Sequence, residues 1–164
     1  MGEIAKLLPR ANIVTGLDVA DKAQFFAAIS QVFEHGSGLA RAGVAASLAA
    51  REKLGSTGLG QGVAIPHGRI KGLREPVGAY ARLLHPIGFG APDGRPVTHS
   101  FVLLVPAEAT ERHLELLSEL AQMFSDAAFR ERLAHAAGAD DIAALFDSWG
   151  QVLPFAPAGA KGKT

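Results

Sequence analysis

The chain has 164 residues, no cysteine, and 16 basic against 16 acidic side chains, so its formal net charge is zero. These facts exclude a disulfide scaffold, thiolate zinc sites and thiol catalysis, and argue against an electrostatic grip on nucleic acid or on an anionic membrane. Apolar residues make up 48% and charged residues 20%, the balance of a soluble domain able to bury its own core, and the lack of any long apolar run predicts a cytoplasmic protein with no membrane insertion.

The first predicted element is a short strand at Asn12-Ile-Val14. A helix is expected over about Asp21–Glu34, where Phe25, Phe26, Ile29, Val32 and Phe33 share one face and His35-Gly36 offers a stop. An alanine-rich helix follows over about Leu39–Leu54, with Val44, Leu48 and Leu54 as its larger apolar residues and Gly55 as its end. From Gly55 to Gly68 glycine dominates, which predicts loop with one short strand at Val63-Ala-Ile65.

Val77–Leu84 reads as a longer strand, and Pro92-Asp-Gly94 as a turn. The uninterrupted apolar run Phe101–Val105 predicts a strand covered on both faces, closed by Pro106. Thr110 is expected to cap a helix whose buried stripe is Leu114, Leu117, Leu120, Ala121 and Phe124. Two shorter helices are expected over Ala127–Ala134 and Asp140–Trp149. Residues 151–164 lack periodicity and are read as a disordered tail. The order predicts a single α/β domain over 3–150, a mixed β-sheet flanked by helices.

The chemistry concentrates at His67, within Gly62-Val-Ala-Ile-Pro-His-Gly68. Gly58, Gly60, Gly62 and Gly68 allow tight turns and close approach of another molecule, while Pro66 fixes its own φ and pushes Ile65 toward extended geometry. An imidazole titrating near ~6.5 offers a free lone pair at neutral pH. That suits nucleophilic attack on phosphorus, metal binding or proton transfer. As an isolated tripeptide, Pro-His-Gly is no more than a turn.

The wider pattern is specific. The nineteen residues from Arg51 to Arg69, with Glu52, then Leu59-Gly60, then Val63-Ala-Ile-Pro-His-Gly68, resemble the phosphorylation-site signature of the mannitol/fructose-type enzyme IIA of the bacterial phosphotransferase system. The likeness runs from Leu7-Leu-Pro9 through His113-Leu-Glu-Leu-Leu-Ser118, over roughly residues 3–148, and is nearest to the nitrogen-regulatory branch, whose IIA domain stands alone. The resemblance implies the single-domain sandwich of mannitol-type enzyme IIA. It implies a phosphotransferase component without cofactor or metal, in which His67 accepts a phosphoryl group from the phosphohistidine of HPr or its nitrogen-branch counterpart. It also implies His113 as a second active-site histidine and Arg51 as an active-site arginine.

The implied partners make chemical sense. Phosphoryl transfer is mostly positioning and charge stabilisation, and a guanidinium can fork onto two phosphoryl oxygens. His113 falls in the first turn of the Thr110 helix, where backbone N–H groups and the positive dipole end favour an anion. Ser56, Thr57 and the glycine N–H groups, Gly68 among them, are candidate phosphate-binding donors. Taken alone, His113 is a histidine at the edge of a core and Arg51 a solvated helix residue. His35, His85, His99 and His135 match nothing functional, and Arg69 and Lys71 read as partner-docking or ordinary surface charge.

The expected role is a phosphorylation-dependent regulator whose targets are a transporter or a sensor kinase. A sugar-specific IIA feeding a separate IIB of a fructose or mannitol permease keeps the fold and changes the task. A histidine-dependent hydrolase or metal enzyme lacks the necessary ligand spacing. An interaction module that has lost phosphorylation conflicts with the intact motif.

Overall fold

The computed structural model describes residues 2–149, and the tail expected over 151–164 lies outside the described residues. After helix α1 (Glu3–Lys6) and a 3₁₀ turn at Arg10–Asn12 come β1 (Ile13–Leu17), α2 (Lys22–Ser37) and α3 (Arg41–Lys53). Four strands then follow closely, β2 (Gly58–Gly60), β3 (Val63–Ala64), β4 (His67–Ile70) and β5 (Val77–Ile87). Strand β6 (Val97–Pro106) leads into α4 (Glu111–Ser125), α5 (Ala127–His135) and α6 (Ala139–Trp149).

The strands form one mixed sheet in the order β1-β5-β6-β3-β2, with β4 also pairing with β6. β1 lies parallel to β5 and β6 antiparallel to it, while β3 and β4 both run parallel to β6. Alternation along β6 sorts two cores. Phe101, Leu103 and Val105 join Tyr80, Leu116, Leu120, Phe124, Phe129 and Phe146 on one face, covered by α1, α4, α5 and α6. Val102 and Leu104 join Ala79, Ala81, Phe25, Ile29, Phe33, Val44 and Leu48 on the other, covered by α2 and α3. The expected mixed sheet flanked by helices is the observed architecture, and the run Phe101–Val105 is buried throughout.

Several expectations shift. Helix α2 runs past His35-Gly36 to Ser37, because Gly38 adopts the left-handed conformation (φ 70°) that takes the C-terminal N–H bonds to Phe33 and Glu34. Its N-cap is Asp21, whose carboxylate accepts from the Gln24 N–H. Thr110 precedes α4 without a side-chain cap bond. The buried stripe of α4 is Leu116, Leu120, Met123 and Phe124, while Leu114 is 68% exposed. Leu54, at the end of α3, is 83% exposed.

Candidate functional site

His67 is not in the loop expected for it. It opens strand β4, opposite Leu103 of β6. β3 and β4 pair with β6 in a continuous register, Ala64 opposite Ser100 and His67 opposite Leu103. Pro66 sits in the gap, with no N–H to give, and its carbonyl accepts from the Leu103 N–H at 3.0 Å. The break frees the two polar groups of Ile65. Its N–H donates to the Thr57 carbonyl at 3.0 Å, and its carbonyl accepts from His67 Nδ1 at 3.0 Å. A carbonyl only accepts, so Nδ1 carries the proton and Nε2 holds the lone pair.

Nε2 faces Arg51, whose Nε–H donates to it at 3.2 Å. Arg51 comes from the last turn of α3, and its Nη1 donates to the Gly55 carbonyl at 2.8 Å, tying the guanidinium to the helix end. Helix α3 can approach β4 because Gly68 has no Cβ; a Cβ there would lie 2.3 Å from Ser47 Oγ. The Ser47 hydroxyl donates to the Arg69 carbonyl at 2.9 Å, completing the seam.

His113 arrives from the other side of the sheet in the first turn of α4, its ring centroid 5.1 Å from that of His67 at 69°. Arg69 sets this approach, because its Nη1 donates to the carbonyls of Ala107 (2.9 Å) and Ala109 in the connection that launches α4. The structure thus brings Arg51, His67 and His113 together from α3, β4 and α4.

Both imidazoles are held neutral. Burial pushes His67 below the usual imidazole range; the Ile65 carbonyl pulls the other way and the Arg51 charge adds to the lowering. His113 is pushed down to about 4, chiefly by burial and then by the neighbouring His67, Arg69 and Arg51. Its Nε2 is buried and has no hydrogen-bond partner among the described residues. Such an atom favours an incoming polar group.

The other expected phosphate donors are committed elsewhere. The Ser56 hydroxyl donates to the Phe89 carbonyl at 2.6 Å and accepts from the Gly58 N–H at 3.0 Å. Thr57 is buried, and both its hydroxyl (2.7 Å) and its N–H (3.1 Å) donate to the Glu52 carboxylate. Gly68 is buried in the β4–β6 ladder, and its role is the steric one beside Ser47. These corrections share a cause: a glycine-rich stretch looks open in sequence, whereas here it is a folded turn. Gly60, Gln61 and Gly62 all have positive φ (98°, 59° and 79°), held by Asp93, which accepts from the Gln61 N–H at 2.8 Å.

Sequence reasoning missed the structural parts played by Glu52 and Arg69. A glutamate closing a helix, five residues before a threonine at the start of a glycine-rich turn, was the available signal for Glu52. Among the described residues no group of three or more His, Cys, Asp or Glu converges as a metal site. No described helix is long and apolar enough to cross a membrane. His99 is buried, its Nδ1 2.6 Å from the Tyr80 hydroxyl, and belongs to the core rather than to the site.

Comparison with known proteins identifies the family and the fold. Residues 6–149 match the family model described as phosphoenolpyruvate-dependent sugar phosphotransferase system, EIIA 2. A nitrogen regulatory protein of Pseudomonas aeruginosa is 53% identical over 96 residues, 58% of this chain and 62% of that protein, so the match spans less than two thirds of the relative. The crystal structure of nitrogen regulatory protein IIA-Ntr from Neisseria meningitidis superposes with a TM-score of 0.83 at 47% identity, covering 88% of this chain and 99% of the other. The fold is also that of IIA mannitol from Escherichia coli, with a TM-score of 0.69 at 21% identity over 84% of this chain and 96% of that one.

Proposed function

The chain belongs to the EIIA 2 family of the phosphoenolpyruvate-dependent sugar phosphotransferase system, and from that premise we propose that it is a cytoplasmic phosphocarrier and regulator that accepts a phosphoryl group on Nε2 of His67. The observation that carries this reading is the fixed tautomer: Nδ1–H is held by the Ile65 carbonyl, and the Nε2 lone pair faces Arg51 at 3.2 Å.

The donor is the phosphohistidine of HPr or a related small carrier. The Nε2 lone pair of His67 attacks phosphorus, a new N–P bond forms, and the donor's N–P bond breaks with its electron pair returning to the donor imidazole. Attack requires Arg51 Nε–H to leave the lone pair. The guanidinium is then placed to meet the equatorial oxygens of the arriving group, where charge stabilisation matters most. His113, neutral at physiological pH, offers a buried ring nitrogen for a phosphoryl oxygen.

The donor's docking surface includes Leu54, Leu59 and Leu114, exposed apolar residues close in sequence to Arg51, the glycine-rich turn and His113. A phosphoryl group adds about −1.5 to −2 charge in the side chains where this is tabulated, onto a chain of zero net charge. Partner choice then follows the phosphorylation state, in keeping with relatives named nitrogen regulatory proteins. The targets, a transporter or a sensor kinase, would read the same surface as the donor.

The test is intact mass spectrometry under mildly basic conditions after incubation with phosphoenolpyruvate, enzyme I and HPr. The expected result is a phosphate-sized gain in the wild type, none in His67→Ala and a slowed gain in His113→Ala. No gain in the wild type, with donors active on a control IIA, would overturn the reading.

A further inference from the structure

We propose that Glu52 and Thr57 are positioning residues that set which nitrogen of His67 carries the proton. The inference deepens the phosphoryl-acceptor reading of His67 and rests on it.

The Glu52 side chain is 6% exposed. A carboxylate is seldom buried so deeply unless it is paired and fully hydrogen-bonded. Its Oε1 accepts the Thr57 hydroxyl at 2.7 Å, and its Oε2 accepts the Thr57 N–H at 3.1 Å and the Lys22 ammonium at 2.9 Å. Lys22 in turn lies 4.7 Å from the centroid of Phe89, whose carbonyl holds the Ser56 hydroxyl. The first residues of the glycine-rich turn are therefore gripped at two adjacent positions.

The grip passes directly to the nucleophile. The Thr57 carbonyl accepts from the Ile65 N–H at 3.0 Å, and the Ile65 carbonyl accepts from His67 Nδ1 at 3.0 Å. Ile65 stands in the break between β3 and β4, so its peptide groups find both these partners away from β6. Their orientation depends on Thr57, and that of Thr57 depends on Glu52. Loosening Thr57 lets the Ile65 carbonyl tip away from Nδ1. The imidazole can then take the Nε2–H tautomer, which presents no lone pair toward Arg51 or an arriving phosphorus. Glu52 also follows Arg51 directly in α3, so one helix turn sets both the guanidinium and the proton on the ring it faces.

The experiment uses the full chain labelled with ¹⁵N at histidine, with Thr57→Val, Thr57→Ser and Glu52→Gln variants. Two-bond ¹H–¹⁵N correlation spectra read the tautomer of each imidazole. In parallel, single-turnover phosphoryl transfer from phosphorylated HPr gives the maximal rate and the donor concentration for half-saturation. The expected result is His67 in the Nδ1–H form in the wild type and in Thr57→Ser, with a growing Nε2–H population in Thr57→Val and Glu52→Gln. The maximal rate of Thr57→Val should fall about fivefold, the factor expected from losing the neutral bond between His67 Nδ1–H and the Ile65 carbonyl, with half-saturation unchanged. A merely structural residue would not move the ring tautomer. A Thr57→Val spectrum in which His67 keeps the wild-type tautomer would overturn the inference, and Thr57→Val decides it even if Glu52→Gln fails to fold. A wild type that takes no phosphate would sink the phosphocarrier reading, and the ring spectra would still decide the positioning role.

Discussion

Replacing Gly68 by alanine tests the seam between α3 and β4 on which the site depends. The new Cβ would lie 2.3 Å from Ser47 Oγ, 3.2 Å from Ser47 Cβ and 3.4 Å from the Ser47 carbonyl carbon. The first distance cannot be tolerated, so the hydroxyl must turn away and its 2.9 Å bond to the Arg69 carbonyl is lost, at about 1 kcal/mol. The second distance forces the helix outward slightly, an overpacking cost of roughly 1–3 kcal/mol. Together these give roughly 2–4 kcal/mol, a fall in Tm of roughly 6–12 °C at about 3 °C per kcal/mol for a domain of this size. Ser47→Ala alone should cost under about 1 kcal/mol, because alanine's helix propensity offsets an exposed hydrogen bond. In the Ser47→Ala background Gly68→Ala should cost at least about 1 kcal/mol less than it does alone. Urea denaturation of the four proteins measures the cycle. Strict additivity, or a Gly68→Ala cost below about 0.5 kcal/mol, would refute this account of why glycine stands there.

Arg51→Lys should keep the fold and lower the single-turnover transfer rate by roughly 10²-fold, because lysine keeps the charge but loses the Nε–H aimed at His67 Nε2 and the planar fork. Stability should fall with acidification. His99 and His113 are both pushed down to about 4, chiefly by burial, so below about pH 6.5 the unfolded chain binds protons that the fold refuses. The loss should accumulate from about pH 6.5 to about pH 4 and level off below, at roughly 3 kcal/mol for the buried His99 and less for the more exposed His113, as read by urea denaturation across pH. Phe146→Ala should cost about 3–5 kcal/mol in the same assay, since Phe146 packs against Tyr80, Phe101, Phe124 and Phe129. At temperatures where that variant stays folded, its phosphorylation should slow no more than that of His113→Ala, because α4, which carries His113, packs on the damaged core while Arg51 lies on the opposite face of the sheet.

The amphipathic elements were legible because their signals are local. The aromatic face of α2 and the apolar run of β6 each declare one partner surface, and both are buried as read. The stripe of α4 was legible at Leu117, Leu120 and Phe124, which all pack on the core, but not at its edges, because Leu114, Leu116 and Leu117 offer two registers and the observed one buries Leu116 and leaves Leu114 exposed. β4 was not legible because His67-Gly-Arg-Ile70 becomes a strand only by pairing with β6, thirty-odd residues later in the chain. At the site, the likeness of Arg51–Arg69 and His113–Ser118 to a known signature singled out the histidines and the arginine, whereas the hydrogen-bond destinations of Ser56 and Thr57 did not follow from composition. A hydroxyl beside a glycine-rich turn is equally plausible facing a ligand or facing the protein, and Glu52 and Phe89 decide between them.

Strand order bears on when the site exists at all during synthesis. β1 finds its neighbour only when Tyr80 is available, β4 only when Leu103 is available, and His113 joins His67 only after α4 has docked on the sheet. Such non-local pairings close late, because loop entropy must be met before they gain anything. A ribosome-bound chain that has extruded Arg51 and His67 therefore holds both residues without β6 to hold β4 in register, or His113 to face His67. A phosphoryl acceptor at this position would be competent only in chains whose β6 and α4 have already docked, so the signal it carries would pass over copies in which those two elements are still unfolded.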